Sequence, residues 1–326
     1  MRYANLKQSI ISQFSTTNQV IPYIEGAPGG GKSALAKDIG RELGFDKVKL
    51  FYASMRDPVD LLGTPNNAGE FTSWKPPEEF AELQQGRNLL ILDELSDATT
   101  PMQNALCSLM YEKVLGRLKF QNTYFIATGN RTKDKSGANR IVSKLRGRVR
   151  TFEFTENIDD WSEWALNNGV DVVLIQFLRF RPNLLSDFDP DKICPTPRNW
   201  ERVGMIPTDL PADMYFENVA GDVGEGAAAE YTGFRKIYAG LPNIDGLLMN
   251  PATAEIPTDF AVLYALTGAL AQRASADNFD RITTYTDRLQ PEFGVMCVQD
   301  AIKLKPEIKS TKAFVQWAVN NANVML

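Results

Sequence analysis

Two stretches decide the fold: Val20-Ile-Pro-Tyr-Ile-Glu25-Gly26-Ala27-Pro28-Gly29-Gly30-Gly31-Lys32-Ser33-Ala34 and, further on, Asn88-Leu-Leu-Ile-Leu-Asp93-Glu94. The first is an apolar run, a glycine-rich turn and the start of a helical pattern. Its Gly26 to Ser33 segment matches G-x-x-x-x-G-K-[ST] in full. Glycines let a backbone wrap a phosphate with its N–H groups, and the positive end of a helix dipole favours the anion there. On this reading residues 26 to 34 line the phosphates of ATP. Lys32 is a surface ammonium aimed at the β- and γ-phosphates, and Ser33 supplies a hydroxyl to Mg²⁺. A glycine turn that merely precedes Lys-Ser is the bland alternative, and the flanking strand and helix speak against it. The second stretch is an apolar strand that ends in paired acids. Asp93 is placed to orient Mg²⁺ and Glu94 to polarise the attacking water, although a lone acid there could simply cap the next helix.

Around these motifs, short apolar or β-branched runs alternate with helical stretches as far as about residue 155. The runs are Val20–Glu25, Val48–Ala53, Asn88–Asp93, Thr123–Thr128 and Arg150–Phe154, and the helices Lys32–Leu43, Pro77–Gln85 and Pro101–Tyr111. That alternation predicts an α/β fold, a parallel sheet of about five strands flanked by helices. Because Val48–Ala53 falls between the two motifs, the motif strands are not consecutive, which implies an added strand in the sheet. From 156 onward convincing strands disappear. Helices are expected at Asn157–Asn167, Val170–Arg179, Pro197–Val203, Gly224–Ala239, Asp259–Ser275 and Lys309–Asn323, with 205–258 loop-rich. The domain expectation is therefore 1–155 for nucleotide binding and 156–326 for a helical lid with a C-terminal helical extension. The apolar stretches Phe260–Leu270 and Phe314–Val319 read as lid core.

Composition bounds the chemistry. With 326 residues the chain exceeds the roughly 250–300 at which single cores stop growing, so two domains are expected. No histidine is present, so acid–base work falls to carboxylates, lysine, amides and hydroxyls. Three scattered cysteines make no C-x-x-C pair and suit a reducing compartment. No run of about 18 apolar residues occurs, so no membrane partner and a cytoplasmic location are expected. The net charge of −5 turns the bulk electrostatics away from nucleic acid. Only the basic run Arg131–Arg150 offers a local patch, readable as a DNA track, a solvated loop or a subunit edge. The segment Asn66–Trp74 is polar yet carries Phe71 and Trp74, rings that either fold back on their own core or face a partner.

Further motifs resemble one family. Phe125-Ile-Ala-Thr-Gly-Asn130 is similar to the sensor-1 segment of AAA+ proteins, which implies that Asn130 holds the attacking water with Glu94. Leu95-Ser-Asp-Ala-Thr-Thr-Pro-Met-Gln-Asn-Ala-Leu106, Asp57-Pro-Val-Asp-Leu-Leu-Gly-Thr-Pro65 and the hairpin-like Glu112-Lys-Val-Leu-Gly-Arg117 resemble segments of MoxR-type AAA+ ATPases. Lys144-Leu-Arg-Gly-Arg148-Val is similar to the arginine-finger stretch. Arg148 is the best match there, with Arg146 and Arg140 as competitors, and Gly-Arg-Val stands where the family has D-R-F. Thr196-Pro-Arg198-Asn-Trp200 looks like the sensor-2 segment, giving Arg198 that role. The likeness spans roughly 20–205; the remainder resembles short phage and mobile-element ATP-binding proteins. It implies an ATP- and Mg²⁺-dependent ATPase forming a homo-oligomer, a hexameric ring, that remodels a partner protein, with residues 66–74 facing the ring's channel. A nucleic-acid motor or loader and a nucleotide-controlled scaffold are the alternatives.

Overall fold

A computed structural model describes residues 1–17, 19–134 and 141–321. The chain divides into two compact units, Met1–Asn157 with Phe188–Asp191, and Ile158–Asp187 with Lys192–Leu326.

The first unit is built on five parallel strands. These are β1 (Ile21–Gly26), β2 (Lys47–Tyr52), β5 (Asn88–Asp93), β8 (Thr123–Asn130) and β9 (Val149–Glu153), ordered β2-β5-β8-β1-β9. Two short hairpins interrupt the chain between them, β3 (Thr64–Asn66) with β4 (Ser73–Lys75) and β6 (Val114–Leu115) with β7 (Leu118–Lys119). The expected added strand is β8, which lies between the two motif strands and pairs with both.

Side chains alternate across a strand, and here the alternation divides the apolar residues into two layers. Ile24, Leu89, Ile91 and Ile126 join one cluster, under helices α1 (Tyr3–Thr16) and α2 (Lys32–Glu42) through Leu6, Ile10, Phe14, Leu35 and Ile39. Tyr23, Leu90, Leu92, Phe125 and Ala127 join the other. That face packs on α3 (Pro58–Leu62), α4 (Glu78–Ala81), α5 (Thr100–Glu112) and α6 (Ser143–Arg146) through Leu61, Phe80, Met102, Leu106 and Leu145. Both faces are covered, which explains why the central strands read as continuous apolar runs. This is the α/β P-loop core with a helical C-terminal region that the pattern predicts.

The structure corrects several local expectations. Pro77–Gln85 is not one helix but α4 followed by a 3-10 turn, Glu82–Gln84. The helix α1 is not predicted from sequence, where its broken apolar spacing speaks only against a membrane span. Asn66–Trp74 is the turn of the β3–β4 hairpin with part of each strand rather than plain loop, and Phe71 is 80% exposed at it.

The second unit is helical. It comprises α7 (Ile158–Asn167), α8 (Val172–Phe180), α9 (Pro197–Val203), α10 (Ala212–Val223), α11 (Glu225–Ala239), α12 (Ile244–Met249), α13 (Phe260–Arg273), α14 (Phe279–Thr286), α15 (Pro291–Leu304) and α16 (Lys312–Asn320). Residues 322 and 323 of the expected last helix lie outside the described residues. The segment 205–258 is helical over much of its length. Its helices α10 and α12 are short, and Pro211 and Asn243 at their N-caps look like turn residues in sequence. One aromatic core gathers Phe177, Trp200, Tyr231 and Phe234, and a second gathers Leu266, Leu270, Phe279, Tyr285 and Phe293. The long α13 serves both, with Ala265 in the first and Leu266 in the second, while Phe260 at its start is half exposed. In α16, Trp317 is buried and Val319 exposed.

Gly129 shows how tightly side chains pack against β8. A Cβ there would lie 2.0 Å from the Tyr23 hydroxyl and 2.9 Å from Ser96 Oγ. Gly129→Ala should therefore cost about 1–3 kcal/mol by overpacking, read as a lower urea midpoint at unchanged slope. An unchanged midpoint would mean the Tyr23 side chain can shift without penalty.

Candidate active site

Ligand sites of open parallel sheets lie beyond the strands' carboxyl ends. Here three such ends lie side by side: Gly26 opposite Asn130 in the β1–β8 register, and Leu92 opposite Ala127 in the β5–β8 register, which brings Asp93 beside Thr128. From β1 the chain turns at Gly29 and Gly31 into α2. Gly31, the residue before the helix, has φ of 100°, a backbone geometry that L side chains rarely adopt. Around this turn Ala27 and Gly30 are buried, Pro28 and Gly29 half-buried, and Ala34 exposed on the first helical turn.

Lys32 differs from expectation. It is not a surface ammonium: the residue is only 8% exposed, and its Nζ donates to Gly26 O at 3.0 Å, Ala27 O at 2.7 Å and Asn130 Oδ1 at 3.0 Å. Burying an ammonium costs heavily unless acceptors surround it, and the loop's own carbonyls provide them. Ser33 and Asp93 meet as the motifs require: Ser33 Oγ lies 2.8 Å from both carboxylate oxygens of Asp93. Thr128 Oγ1 also donates to Asp93, which is 5% exposed. Among the described residues these neutral hydroxyls are the groups that hydrogen-bond the Asp93 carboxylate. A hydroxyl and a carboxylate are oxygen donors of the kind that suit Mg²⁺, which holds few protein ligands and keeps its waters. Ser33 and Asp93 would be the residues to hold it.

Glu94 follows with φ of 56°, one of two non-glycine residues among those described with positive φ. Such a conformation costs about 1–3 kcal/mol and is commonest at functional sites. Its N–H reaches Thr128 Oγ1 at 3.3 Å, and its carboxylate accepts a hydrogen bond from Ser54 Oγ. Ser54 follows β2 in a 3-10 turn, Ala53–Met55. Sequence gives no sign of its role, because a serine past a strand end has no signature. Only the β2–β5 pairing, Tyr52 opposite Asp93, puts it beside Glu94.

Asn130 closes the group. Its backbone N–H donates to Ser96 Oγ at 2.8 Å and its side-chain Nδ2 to Asp97 Oδ2 at 2.8 Å. Burial, its largest influence, pushes the Asp97 carboxyl above the usual carboxylate range, while hydrogen bonds from Ser96 and Asn130 pull it back. Burial likewise raises the Tyr23 hydroxyl, with the charge of Glu25 adding to it.

Arg148 Nη1 donates to Lys144 O at 2.9 Å and Cys107 Sγ at 3.1 Å, and its guanidinium lies 4.5 Å from the Tyr111 ring centroid. Arg146 is exposed, and Arg140 lies outside the described residues. The basic run is partly matched by acids of its own unit: Arg131 pairs with Asp134 at 2.8 Å and Lys133 with Glu153 at 3.7 Å. Glu25 is raised first by burial and next by Glu153, with Arg131 and Arg146 opposing. Arg198 is exposed on α9, in the second unit. None of the three cysteines is in a disulfide, and all three are buried. Among the described residues no helix is long and apolar enough to cross a membrane.

No protein-family model matches the chain, and no curated protein matches its sequence. Solved structures resemble it at low identity. A point mutant of RuvB from Thermotoga maritima is 16% identical over 82% of each chain, with a TM-score of 0.41. A second point mutant of the same protein is 15% identical over 85% of this chain and 84% of its own, at 0.39. NtrX from Brucella abortus in complex with ATP is 18% identical over 73% of this chain and 64% of its own, at 0.37. At such identities no residue's role carries over.

Lys32 can be tested directly. Lys32→Ala should still fold without nucleotide, at a cost of about 1–3 kcal/mol for the buried Gly26 and Ala27 carbonyls it leaves without their donor. It should lose the thermal stabilisation that ATP-Mg²⁺ gives the parent, which is about 2.7 kcal/mol at 100 times Kd. A variant that gains as much as the parent would remove Lys32 from the phosphate site.

Proposed function

We propose that the chain is an ATP-hydrolysing protein of the AAA+ type. The observation that carries this is the convergence, at adjoining strand ends, of a buried lysine on a glycine loop, a hydroxyl–carboxylate pair, a second carboxylate on a strained turn and an amide. Phosphoryl transfer needs little covalent help; it needs positioning and charge at the transferring group. Gly26 to Ala34 would wrap the phosphates with backbone N–H groups. Lys32 would exchange its loop carbonyls for β- and γ-phosphate oxygens, a better counter-charge. Mg²⁺ held by Ser33 and Asp93 would neutralise charge on the bridging and terminal oxygens.

Glu94 is the proposed base. Its carboxylate is half-buried, accepts from the Ser54 hydroxyl and follows the strand that carries Asp93, so it can take a proton from a water facing the γ-phosphate. Asn130 would hold that water from the opposite strand, and Arg198 would act from the helical unit as a second sensor. Glu94→Gln should bind ATP normally and turn it over about 10²–10⁴-fold more slowly, as expected for loss of a general base. Turnover within a few-fold of the parent excludes Glu94.

Assembly into a hexameric ring is part of the same reading and rests on the arginines near α6. An arginine completing a neighbour's site costs catalysis far more than binding when removed, on the order of 10³–10⁵ in kcat. In its own subunit Arg148 rests on Tyr111, which is itself 68% exposed. The ring would act on a partner protein, for which the exposed Phe71 and Trp74 supply apolar contact area. Internal pairing of Arg131 and Lys133 weighs against the nucleic-acid alternative, since those charges are already matched. Arg148→Ala should bind ATP almost normally and hydrolyse it poorly. Mixed with Glu94→Gln it should recover part of the activity, because each variant supplies what the other lacks. If Arg148→Ala alone hydrolyses at the parent rate, the role passes to Arg146, which is exposed, or to Arg140.

A further inference from the structure

Asn130 has a side chain that sequence cannot orient. The two ends of an asparagine amide are nearly isosteric but chemically opposite, one an acceptor and the other a double donor. An amide turned the wrong way would present its oxygen to a phosphate oxygen and repel it. In the structure the orientation is defined by partners on both sides. Lys32 can only donate, so Oδ1 faces it, at 3.0 Å. Asp97 Oδ2 accepts on the other side, so Nδ2 faces it, at 2.8 Å.

Asp97 is itself held. Ser96 Oγ approaches Asp97 Oδ1 at 3.2 Å and also receives the Asn130 backbone N–H at 2.8 Å, so one serine ties the acid and the amide together. The Tyr23 hydroxyl closes in behind, over a glycine, Gly129, that leaves room for it. Lys32 is the weaker of the two constraints in a working cycle, because it must turn to phosphate when nucleotide arrives. Asp97 has no such duty.

We propose that Asp97 is a positioning residue that fixes the amide of Asn130, holding one Nδ2 hydrogen so that the second is presented to the γ-phosphate or the water beside it. This rests on the ATPase reading of the same site. It assigns to Asp97 the discrimination of ATP from ADP, since only the γ-phosphate side of the nucleotide would meet the oriented amide. Asp97 acts through Asn130 and touches no substrate.

The test is a double-mutant cycle read on the ratio of ADP to ATP dissociation constants, measured by titration with Glu94→Gln as background so that ATP persists. Asp97→Ala should reduce that ratio about tenfold, equivalent to about 1.4 kcal/mol, with ADP affinity unchanged. Asp97→Asn retains an acceptor for Nδ2 and should stay within about threefold, below the 1.4 kcal/mol that each tenfold represents. On an Asn130→Ala background, Asp97→Ala should change nothing further. Melting temperature should not fall in Asp97→Ala, because a partly buried carboxylate is removed with it. An additional loss on the Asn130→Ala background would overturn the proposal, as would Asp97→Asn failing as badly as Asp97→Ala. A parent that binds no nucleotide would instead overturn the functional reading, which separates the two failures.

Discussion

Everything at this site depends on the in-register parallel pairing of β8 with β1 on one side and β5 on the other. Each motif supplies a strand end, but alone the glycine loop and the paired acids would stand one strand apart with nothing between them. By filling that gap β8 puts Thr128 against Asp93 and Asn130 against Lys32. A slip of one residue would turn every side chain of β8 to the other face. It would also break both apolar layers, because Phe125 and Ala127 serve one and Ile126 the other. The core thus enforces the register, and the register assembles the site.

Electrostatics then explains why the assembly is poised for a ligand. Lys32 and Asp93 are both buried within the first unit. Loop carbonyls accept from Lys32, and the hydroxyls of Ser33 and Thr128 donate to Asp93. Such dipoles satisfy hydrogen-bonding capacity, but they offset a buried charge less well than an opposite charge does. A polyphosphate with its metal carries a stronger partner for each: anionic oxygens for Lys32 and a cation for Asp93. Fold stability and ligand affinity are in tension here, and the dense apolar packing on both faces of the sheet is what lets the chain sustain it.

Much of this is legible in the sequence because short, strongly patterned runs encode it. The strand Asn88–Asp93 has the bounds expected around its apolar run of residues 89 to 92, and the glycine loop has both flanks it needs. What sequence hides is set by tertiary contact. The α1 face of Leu6, Ile10 and Phe14 is helical in spacing, but interspersed polar residues dilute it, and only packing on α2 and the sheet gives it a reason to form. Burial of Lys32 is invisible because its loop acceptors are backbone carbonyls, which no sequence motif displays. Ser54 and Asp97 escape as site residues for a related reason: each lies just beyond a strand end, where pairing with a distant strand decides what it touches. The extra helices of the second unit follow the same rule, since α14 and α15 acquire their apolar faces only around the shared core of Phe279, Tyr285 and Phe293.

The two adjacent acids show how a backbone turn can separate the roles of similar chemistry. Consecutive residues on a strand point to opposite faces, so a regular continuation past Asp93 would send Glu94 away from the site. Left-handed geometry at Glu94 breaks that alternation and aims its carboxylate at Ser54. Asp93 receives hydroxyls from α2 and β8 and is nearly sealed from water; Glu94 receives one from the turn after β2 and keeps access to solvent. A sealed, acceptor-only carboxylate is suited to a cation that stays put. A half-open one beside it is suited to exchanging a proton with water. The strain stored at one residue thus produces a division of labour that the dipeptide Asp-Glu, read as sequence, can only suggest.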